Sequence, residues 1–262
     1  MFDLNGRTAL VTGGTMGVGL AIAKSLSEAG ANIVLHGLAS DSSAAEAVLE
    51  IQNVGVECQL VTADLAGPTE EAVDALCESA FVTCGDIDIL ISNAGTYREP
   101  DFLEIDYPTF ERTMRLNVAS HFFLIQKFAQ RWVEQGTDGR VLLTGSINGR
   151  LAEQTHAAYD TSKGAVEAMV RTLCVSLAPR GIRVNGMAPG LVRTPLTASA
   201  LDEAGVTEWM KLHTPNQQVP GPEVCGPLAA FLVSDLASHI HGQMVLVDGG
   251  MSAWQQPDPP SA

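Results

Sequence analysis

Short runs of apolar residues alternate along this chain with longer stretches in which apolar residues recur every three or four positions. The short runs are apolar at nearly every position, as in strands that a sheet buries on both faces. We predict strands over 7–14, 31–37, 56–65, 87–95, 139–147, 182–190 and 243–250.

The stretches between these runs have the period of amphipathic helices. We predict helices over 19–30, 41–55, 68–85, about 107–134, within 157–181 and near 222–234, and a less regular, partly helical segment over 196–214. Gly30 closes the first helix. Asp41, Ser42 or Ser43 caps the second. Pro68 lies in the first turn of the third.

The regular alternation of strand and helix predicts an α/β fold with a doubly wound parallel sheet of the Rossmann type in three layers, α/β/α. We find no internal repeat, linker or break in composition, so we predict a single domain over residues 1–262. Residues 254–262 are polar and rich in proline, and we expect a flexible tail there.

Charge and cysteine content narrow the class of function. The chain has 15 Lys and Arg against 30 Asp and Glu, and its net charge of −15 argues against nucleic-acid binding. No apolar run is long enough to span a membrane, and no secretory signal is evident. The five cysteines form no CxxC motif, so we expect reduced thiols, no metal site and a cytoplasmic protein.

A glycine-rich turn, "TGGTMGVG", joins the first strand to the first helix. Gly13, Gly17 and Gly19 permit a tight turn and close approach of the backbone to a pyrophosphate at the helix N-terminus. Glycines are common in any turn, but this placement between strand and helix favours dinucleotide binding.

Tyr159 and Lys163 are four residues apart on a predicted helix and therefore share a face, although such a pair also arises by chance. A lysine ammonium about 4 Å from a phenol favours phenolate by about 4 kcal/mol at an effective dielectric of 20, enough to lower the tyrosine pKa from about 10 towards neutrality. Ser146 ends the strand before this helix, at the same sheet edge. We therefore expect a proton-transfer site there.

These motifs, with "SNAG", "RLNVAS", "YDTSK", "PGLVRT" and the final "VDGG", resemble the classical short-chain dehydrogenase/reductases over nearly the whole chain. The resemblance implies that Tyr159 is the general acid/base and that Lys163 lowers its pKa and contacts the nicotinamide ribose. It also implies that Ser146 orients the substrate oxygen and that Asn117 supports a proton-relay water. The expected function is interconversion of a secondary alcohol and a ketone.

The resemblance also implies further cofactor contacts around the carboxyl ends of the strands. Asp64 resembles an adenine contact, although a loop or capping carboxylate is the alternative. Thr194 resembles a contact to the nicotinamide amide, although it could cap the next helix. The remaining expected contacts are Thr15, Met16, Val18, His36, Gly37, Leu65, Asn93, Ala94, Gly95, Pro189, Gly190 and Val192.

The end of the second strand bears on the choice between NAD and NADP. It carries His36, Gly37 and Leu38, with no acid to bind the ribose 2′-hydroxyl. No Lys or Arg lies between Lys24 and Arg98, so a 2′-phosphate has no obvious bidentate partner. His36 and the serines at 40, 42 and 43 could still form hydrogen bonds to one. We expect NAD in preference to NADP.

The substrate pocket implied by the resemblance lies between the loop after Ser146 and the segment 193–214, which we expect to be a substrate-binding lid. Asn148 and His156 are its candidate substrate contacts, with Ser146 and Tyr159, although His156 could equally be an exposed residue at a helix start. This polar set predicts a small polar alcohol: a sugar, a polyol or a short hydroxy acid.

Two other functions remain open. A non-catalytic NAD(P)-binding sensor or scaffold would use the same fold, but it would not need the complete set of Asn117, Ser146, Tyr159 and Lys163. A nucleotide-sugar epimerase or dehydratase usually has a larger C-terminal substrate region. The resemblance also implies a homotetramer, with apolar faces in 123–133 and 165–178 available for contact.

Overall fold

The seven strands among the described residues belong to one parallel sheet. The computed structural model describes residues 2–97 and 100–254, and the strand order is β3-β2-β1-β4-β5-β6-β7. The strands are β1 (Thr8–Val11), β2 (Asn32–Gly37), β3 (Cys58–Thr62), β4 (Ile89–Ser92), β5 (Arg140–Thr144), β6 (Arg183–Pro189) and β7 (Met244–Val247). The predicted doubly wound parallel sheet is confirmed.

Helices cover both faces of this sheet. They are α1 (Gly17–Glu28), α2 (Ser42–Gln52), α3 (Thr69–Cys84), α4 (Tyr107–Met114), α5 (Ser120–Gln135), α6 (Ala157–Leu177), α7 (Ala198–Leu201), α8 (Val206–Leu212) and α9 (Gly226–Val233). Asp41 caps α2, its carboxylate accepting a hydrogen bond from the Ala44 amide over 2.9 Å. Pro68 was predicted in the first turn of α3, but it immediately precedes the helix.

The two-residue period of the strands divides the core into two layers. Ala9 and Val11 point to the layer under α1, α2 and α9, whereas Leu10 points to the layer under α3, α5 and α6. All three side chains are fully buried. Apolar residues are therefore needed at the consecutive positions Ala9, Leu10 and Val11, which explains the uninterrupted apolar runs.

The long helix predicted over about 107–134 is divided. Between α4 and α5, residues 115–119 form a π-helical turn, in which the Ser120 amide donates to the Arg115 carbonyl five residues back. Such turns are rare in proteins, and those that do occur frequently lie at functional sites. The periodicity of the sequence did not reveal this one, because one extra residue hardly changes a helical pattern.

β1 pairs in parallel with β2 on one side and with β4 on the other, so the strand order reverses there. The carboxyl ends of strands beside such a reversal form the usual ligand crevice of α/β folds. Among the described residues, no helix is long and apolar enough to cross a membrane, and no cluster of side chains suits a metal ion. Residues 255–262 of the predicted tail lie outside the described residues, and the single-domain assignment stays a prediction.

Candidate active site at the carboxyl edge of the sheet

The turn between β1 and α1 is shaped for a bound anion. Gly17 adopts a φ of 55°, and a Cβ on Gly19 would overlap the carbonyl oxygen of Gly13. α1 begins without a side-chain cap and without an acidic residue in its first turn. Its free N–H groups and positive dipole end therefore fit the pyrophosphate of a dinucleotide. Thr15, Met16 and Val18 complete this turn.

The ends of β1 and β4 are held together by side chains. Thr12 Oγ1 accepts hydrogen bonds from the amides of Asn93 and Ala94, at 2.8 and 3.0 Å. The Asn93 side chain donates to the carbonyl oxygens of Thr12 and Gly13, at 2.9 and 3.3 Å. Its amide nitrogen thus supports the glycine turn. Gly95 is exposed beside this corner, whereas Ala94 is buried.

The structure corrects the role expected for the imidazole of His36. The ring is buried, and its two nitrogens contact the Gly13 amide and the Ala63 carbonyl oxygen, at 3.2 and 3.1 Å. The ring therefore cannot form the hydrogen bond to a 2′-phosphate that the sequence suggested. Gly37 follows at the end of β2, and Leu38, 71% exposed, lies at the edge instead.

Asp64 is exposed after β3, and one of its carboxylate oxygens accepts from the Ala66 amide over 3.0 Å. This is the loop role considered as the alternative, and the adenine contact stays a prediction. The next residue, Leu65, is buried in the core layer under α3. Its side chain therefore faces inward.

The segment after β6 closes over the glycine turn. The position of a Cβ on Gly17 would be 3.4 Å from the Thr194 side chain, so the two expected cofactor segments meet there. Thr194 and Thr197 exchange hydrogen bonds in a turn before α7. A nicotinamide contact by Thr194 stays a prediction. The other expected contacts of this segment are Pro189 at the end of β6, Gly190 and the buried Val192.

Ser146 and Tyr159 meet at the end of β5. Ser146 accepts a hydrogen bond from the Asn148 amide over 3.1 Å in a short 3₁₀ turn, and its hydroxyl is hydrogen-bonded to the Tyr159 side chain. Tyr159 is in the first turn of α6. The strand end and the helix start thus bring the two hydroxyls together, as the spacing of thirteen residues suggested.

Lys163 lies one turn further along α6. Its Nζ is 5.6 Å from the centre of the Tyr159 ring and donates to the Thr144 carbonyl oxygen over 3.0 Å. The side chain is buried, and burial lowers the pKa of Lys163 to about 8. Lysine thus lies beneath the phenol, in contact with the last residue of β5.

The protonation expected for Tyr159 is not produced by the residues of the chain. Burial raises the pKa of Tyr159 to about 12, against the lowering effect of the Ser146 hydrogen bond. The charges of Glu153 and Asp160 raise this pKa further. Burial and these two carboxylates arise only in the folded chain and oppose the effect expected of Lys163, so the predicted fall in pKa is wrong for the chain by itself.

Asn117 is fully buried in the π-helical turn and ties three segments together. Its carboxamide oxygen accepts from the Thr96 amide, and its nitrogen donates to the Thr96 carbonyl and to Ser162 Oγ, at 2.8 and 3.0 Å. Ser162 in turn donates to the Tyr159 carbonyl over 2.7 Å. Asn117 therefore positions the start of α6 with its side chain, and its support of a relay water stays a prediction.

A second network surrounds the expected substrate side. Asn148 is buried, and its amide nitrogen donates to Glu153 and Asp160, at 3.0 and 2.8 Å. Its nitrogen is therefore engaged within the protein and not directed to a substrate. His156 Nδ1 is 3.1 Å from a Glu153 carboxylate oxygen, and its ring centre is 6.0 Å from that of Tyr159. His156 is thus close enough to Tyr159 for its substrate role to remain a proposal.

Two further residues of this edge were not among the predicted site residues. Tyr97 packs 5.4 Å from the His156 ring and donates to the Leu196 carbonyl, linking the loop after β4 to the expected lid. His121 is buried, with its nitrogens 2.6 Å from Ser92 Oγ and 2.9 Å from the Ala94 carbonyl oxygen. Burial, and then the nearby Lys163 charge, lowers the pKa of His121 to about 3. A lone histidine in the apolar run "SHFFLIQ" was the available signal.

Comparisons with known proteins cover nearly all of the chain. The family model described as "Enoyl-(Acyl carrier protein) reductase" matches residues 13–252. The L-rhamnose 1-dehydrogenase (NADP(+)) of Thermoplasma acidophilum is 33% identical, over 96% of this chain and 98% of the relative. The 5-keto-D-gluconate 5-reductase of Escherichia coli is 31% identical, over 96% and 97%.

A solved structure extends the likeness to three dimensions. The gluconate 5-dehydrogenase of Burkholderia cenocepacia, in complex with NADP and tartrate, superimposes with a TM-score of 0.89 at 31% identity, covering 97% of this chain and 98% of the other. The matching fold and the coverage of nearly the whole chain agree with each other. The chain therefore belongs to the short-chain dehydrogenase/reductase family, and it is an NAD(P)-dependent oxidoreductase that acts on a CH–OH group.

Proposed function

We propose that this enzyme interconverts a secondary alcohol and a ketone on a sugar, polyol or short hydroxy acid, with Tyr159 as the general acid/base. The observation that carries the proposal is the hydrogen bond between the Ser146 and Tyr159 hydroxyls above the buried Lys163. Relatives named for L-rhamnose and 5-keto-D-gluconate support the sugar class. Together they favour a dehydrogenase over a non-catalytic sensor or scaffold.

The nicotinamide cofactor, when bound, supplies the hydride donor or acceptor. Tyr159 donates a proton to the carbonyl oxygen during reduction and takes it back during oxidation, while Ser146 orients the same oxygen. With a pKa of about 12, Tyr159 is protonated at neutral pH and suits the reductive direction. Oxidation should accelerate as pH rises, because it needs the phenolate. Below about pH 8, where the Lys163 ammonium is still protonated, its positive charge beneath the ring favours this form.

The glycine turn, the "NAG" segment and the segment from Pro189 to Thr194 form the proposed cofactor groove. We propose NAD in preference to NADP within it. Twelve acids and no Lys or Arg occur between Lys24 and Arg98, the His36 ring is engaged, and Leu38 occupies the exposed edge. The relatives that use NADP argue the other way. A kcat/KM for NADP exceeding that for NAD at equal concentrations would overturn the preference.

Segment 193–214 is the proposed lid. Helices α7 and α8 lie within it, α8 has no buried residue, and Tyr97 contacts its start through the Leu196 carbonyl. Residues with little burial and few tertiary contacts are suited to local opening. We propose that this segment closes over the substrate beside His156, as part of a single domain that spans the chain.

A homotetramer is the proposed assembly. Phe122, Phe123 and Val133 on α5 and Val175 on α6 are exposed by 41, 42, 48 and 77%. A groove between the two helices is lined largely by apolar residues. Exposed apolar surface of this kind is typical of subunit contacts. The cytoplasm is the proposed location, since the five cysteines are free thiols.

The decisive experiment combines a substrate panel with Tyr159→Phe. The wild-type enzyme should oxidise one or more sugars, polyols or short hydroxy acids with NAD or NADP. Removing the phenolic hydroxyl should lower kcat by about 10³-fold or more, because it removes the acid/base, with the cofactor Kd nearly unchanged. Cofactor binding measured by fluorescence separates the two effects. Turnover that survives this change would contradict the mechanism, and binding without turnover on every substrate would favour the sensor.

A further inference from the structure

The buried imidazole of His36 bridges two loops of the proposed cofactor groove. Its Nδ1 accepts the Gly13 amide hydrogen over 3.2 Å, and its Nε2 is 3.1 Å from the Ala63 carbonyl oxygen. Only 3% of the residue is exposed. One ring therefore joins the pyrophosphate turn after β1 to the corner after β3, where Asp64 begins the proposed adenine contact.

The two partners determine the protonation of this ring. An amide N–H can only donate and a carbonyl oxygen can only accept, so Nδ1 must be the acceptor and Nε2 must carry the hydrogen. A doubly protonated ring would direct an N–H group at the Gly13 amide. The neutral form is thus required by the geometry, and burial, which lowers the pKa of His36, also favours it.

The backbone of the same residue reinforces the bridge. The His36 carbonyl oxygen accepts from the Gly14 amide over 2.9 Å, so two consecutive amides of the glycine turn depend on His36. Gly13 itself has a φ of 59°, a conformation in which its amide direction is set by the turn. Without an acceptor at Nδ1, the Gly13 amide would lose its partner, and the turn would relax.

We infer that His36 is a positioning residue of the cofactor site, whose neutral ring holds the glycine turn against the Ala63–Asp64 corner. It acts on the part of the cofactor that NAD and NADP share, the pyrophosphate and the adenosine. The inference rests on the proposed function only in assuming that this groove binds the cofactor. It differs from the role first suggested by the sequence, a direct contact to the 2′-phosphate.

Two substitutions separate the two hydrogen bonds. In His36→Asn, the side-chain oxygen can take the place of Nδ1 and accept from Gly13. In His36→Gln, the side-chain nitrogen can reach the Ala63 carbonyl but leaves the Gly13 amide without its acceptor. His36→Leu removes both bonds at similar volume. An unpaired buried N–H is less well tolerated than an unpaired carbonyl, so the Asn variant should be the milder one.

The test is the dissociation constant of NADH and of NADPH for the four full-length proteins, measured by fluorescence titration. We expect His36→Leu and His36→Gln to raise Kd about tenfold or more, by the same factor for both cofactors, and His36→Asn to stay within about threefold of the wild type. At saturating cofactor, kcat should change less than twofold, since Ser146, Tyr159 and Lys163 lie on other elements. Thermal melting of each protein without cofactor shows whether it is folded.

The other outcomes overturn the inference. A loss confined to NADPH would make His36 a phosphate contact. Equal losses in the Asn and Gln variants, in step with lower melting temperatures, would make it a packing residue only. Kd values unchanged in folded Gln or Leu variants would deny it any role in binding. If the Leu variant does not fold, the Asn and Gln pair still decides. Failure of the wild-type protein to bind either cofactor would instead contradict the proposed function.

Discussion

The two ends of β5 hold buried cations in different ways. At the amino end, the Arg140 guanidinium donates to the Val233 carbonyl and to Asp235, each over 2.7 Å. At the carboxyl end, the Lys163 ammonium donates to the Thr144 carbonyl over 3.0 Å. Among the described residues, Arg140 has a carboxylate partner and Lys163 has none.

The contact at Arg140 is a stabilising one, whereas the position of Lys163 is typical of an active site. A charge buried beside a carboxylate and a carbonyl is compensated, and arginine remains charged at any ordinary pH. A charge buried beside a single carbonyl is costly, so the pKa of Lys163 falls to about 8. Functional sites often retain such unfavourable groups, because the bound ligand or the reaction needs them. The carboxyl end of β5 is therefore the place where stability and activity should diverge.

The largest effect should come from Lys163→Met. Loss of the ammonium removes the positive charge beneath Tyr159, and we expect kcat/KM to fall about 10³-fold or more. Steady-state kinetics on the best substrate of the panel measures this fall. Lys163→Arg is the control that keeps a cation but changes its shape, and it should recover only part of the activity. Activity of the Met variant within tenfold of the wild type would remove Lys163 from the mechanism.

The opposite end of the strand should respond in stability and not in activity. Asp235→Ala leaves Arg140 without its carboxylate partner, and we expect the free energy of unfolding to fall by about 2 kcal/mol. Urea denaturation at pH 7 measures the change. At a temperature where the variant is folded, kcat should stay within twofold of the wild type. A large drop in kcat would mean that the two ends of β5 are coupled.

Lys163, at the carboxyl end of β5, should make the stability of the protein depend on pH. Below pH 8, Lys163 is charged in both the folded and the unfolded chain, and the folded state bears the full cost of burial. Between pH 8 and about 10.5, the unfolded chain binds more protons than the folded one, so this residue makes stability rise with pH, by at most about 1.4 kcal/mol per pH unit.

Lys163→Met should therefore be more stable than the wild type at pH 7, on the order of 2 kcal/mol, and the advantage should shrink towards pH 10. The two proteins must be compared with each other, because the buried thiols have the opposite effect on the free energy of unfolding. Above pH 9 they make stability fall as pH rises. Burial raises the pKa of Cys58, Cys77 and Cys225 to about 12, and they are common to both proteins. An advantage that does not depend on pH would show that packing, and not charge, is the cause.

Much of the fold could be predicted because its signals are local. Ala9, Leu10 and Val11 of β1 are all apolar, because both faces of the strand are covered. Asp41 caps α2, as its place before an apolar helix suggests. The π-helical turn at 115–119 could not be predicted, because one inserted residue leaves the helical period almost unchanged. Yet that turn places Asn117 between Thr96 and Ser162.

The candidate site divides in the same way. Glycine, serine, tyrosine and lysine were found by their spacing, because each lies where a strand meets a helix. The partners of His36 and His121 come from segments 23 to 29 residues away. Those of Asn148 are Glu153 and Asp160, and no local sequence pattern predicts any of these contacts.

By itself, the sequence determined the parallel sheet, the family and the edge at which the chemistry lies, because hydrophobic period and motif spacing are properties of neighbouring residues. Only the tertiary structure decided the state of the groups at that edge. Burial reversed the expected pKa of Tyr159, and two distant backbone groups turned His36 from a possible ligand contact into a bridge. Desolvation and hydrogen-bond partners depend on which segments meet in space, and that is settled only when the chain has folded.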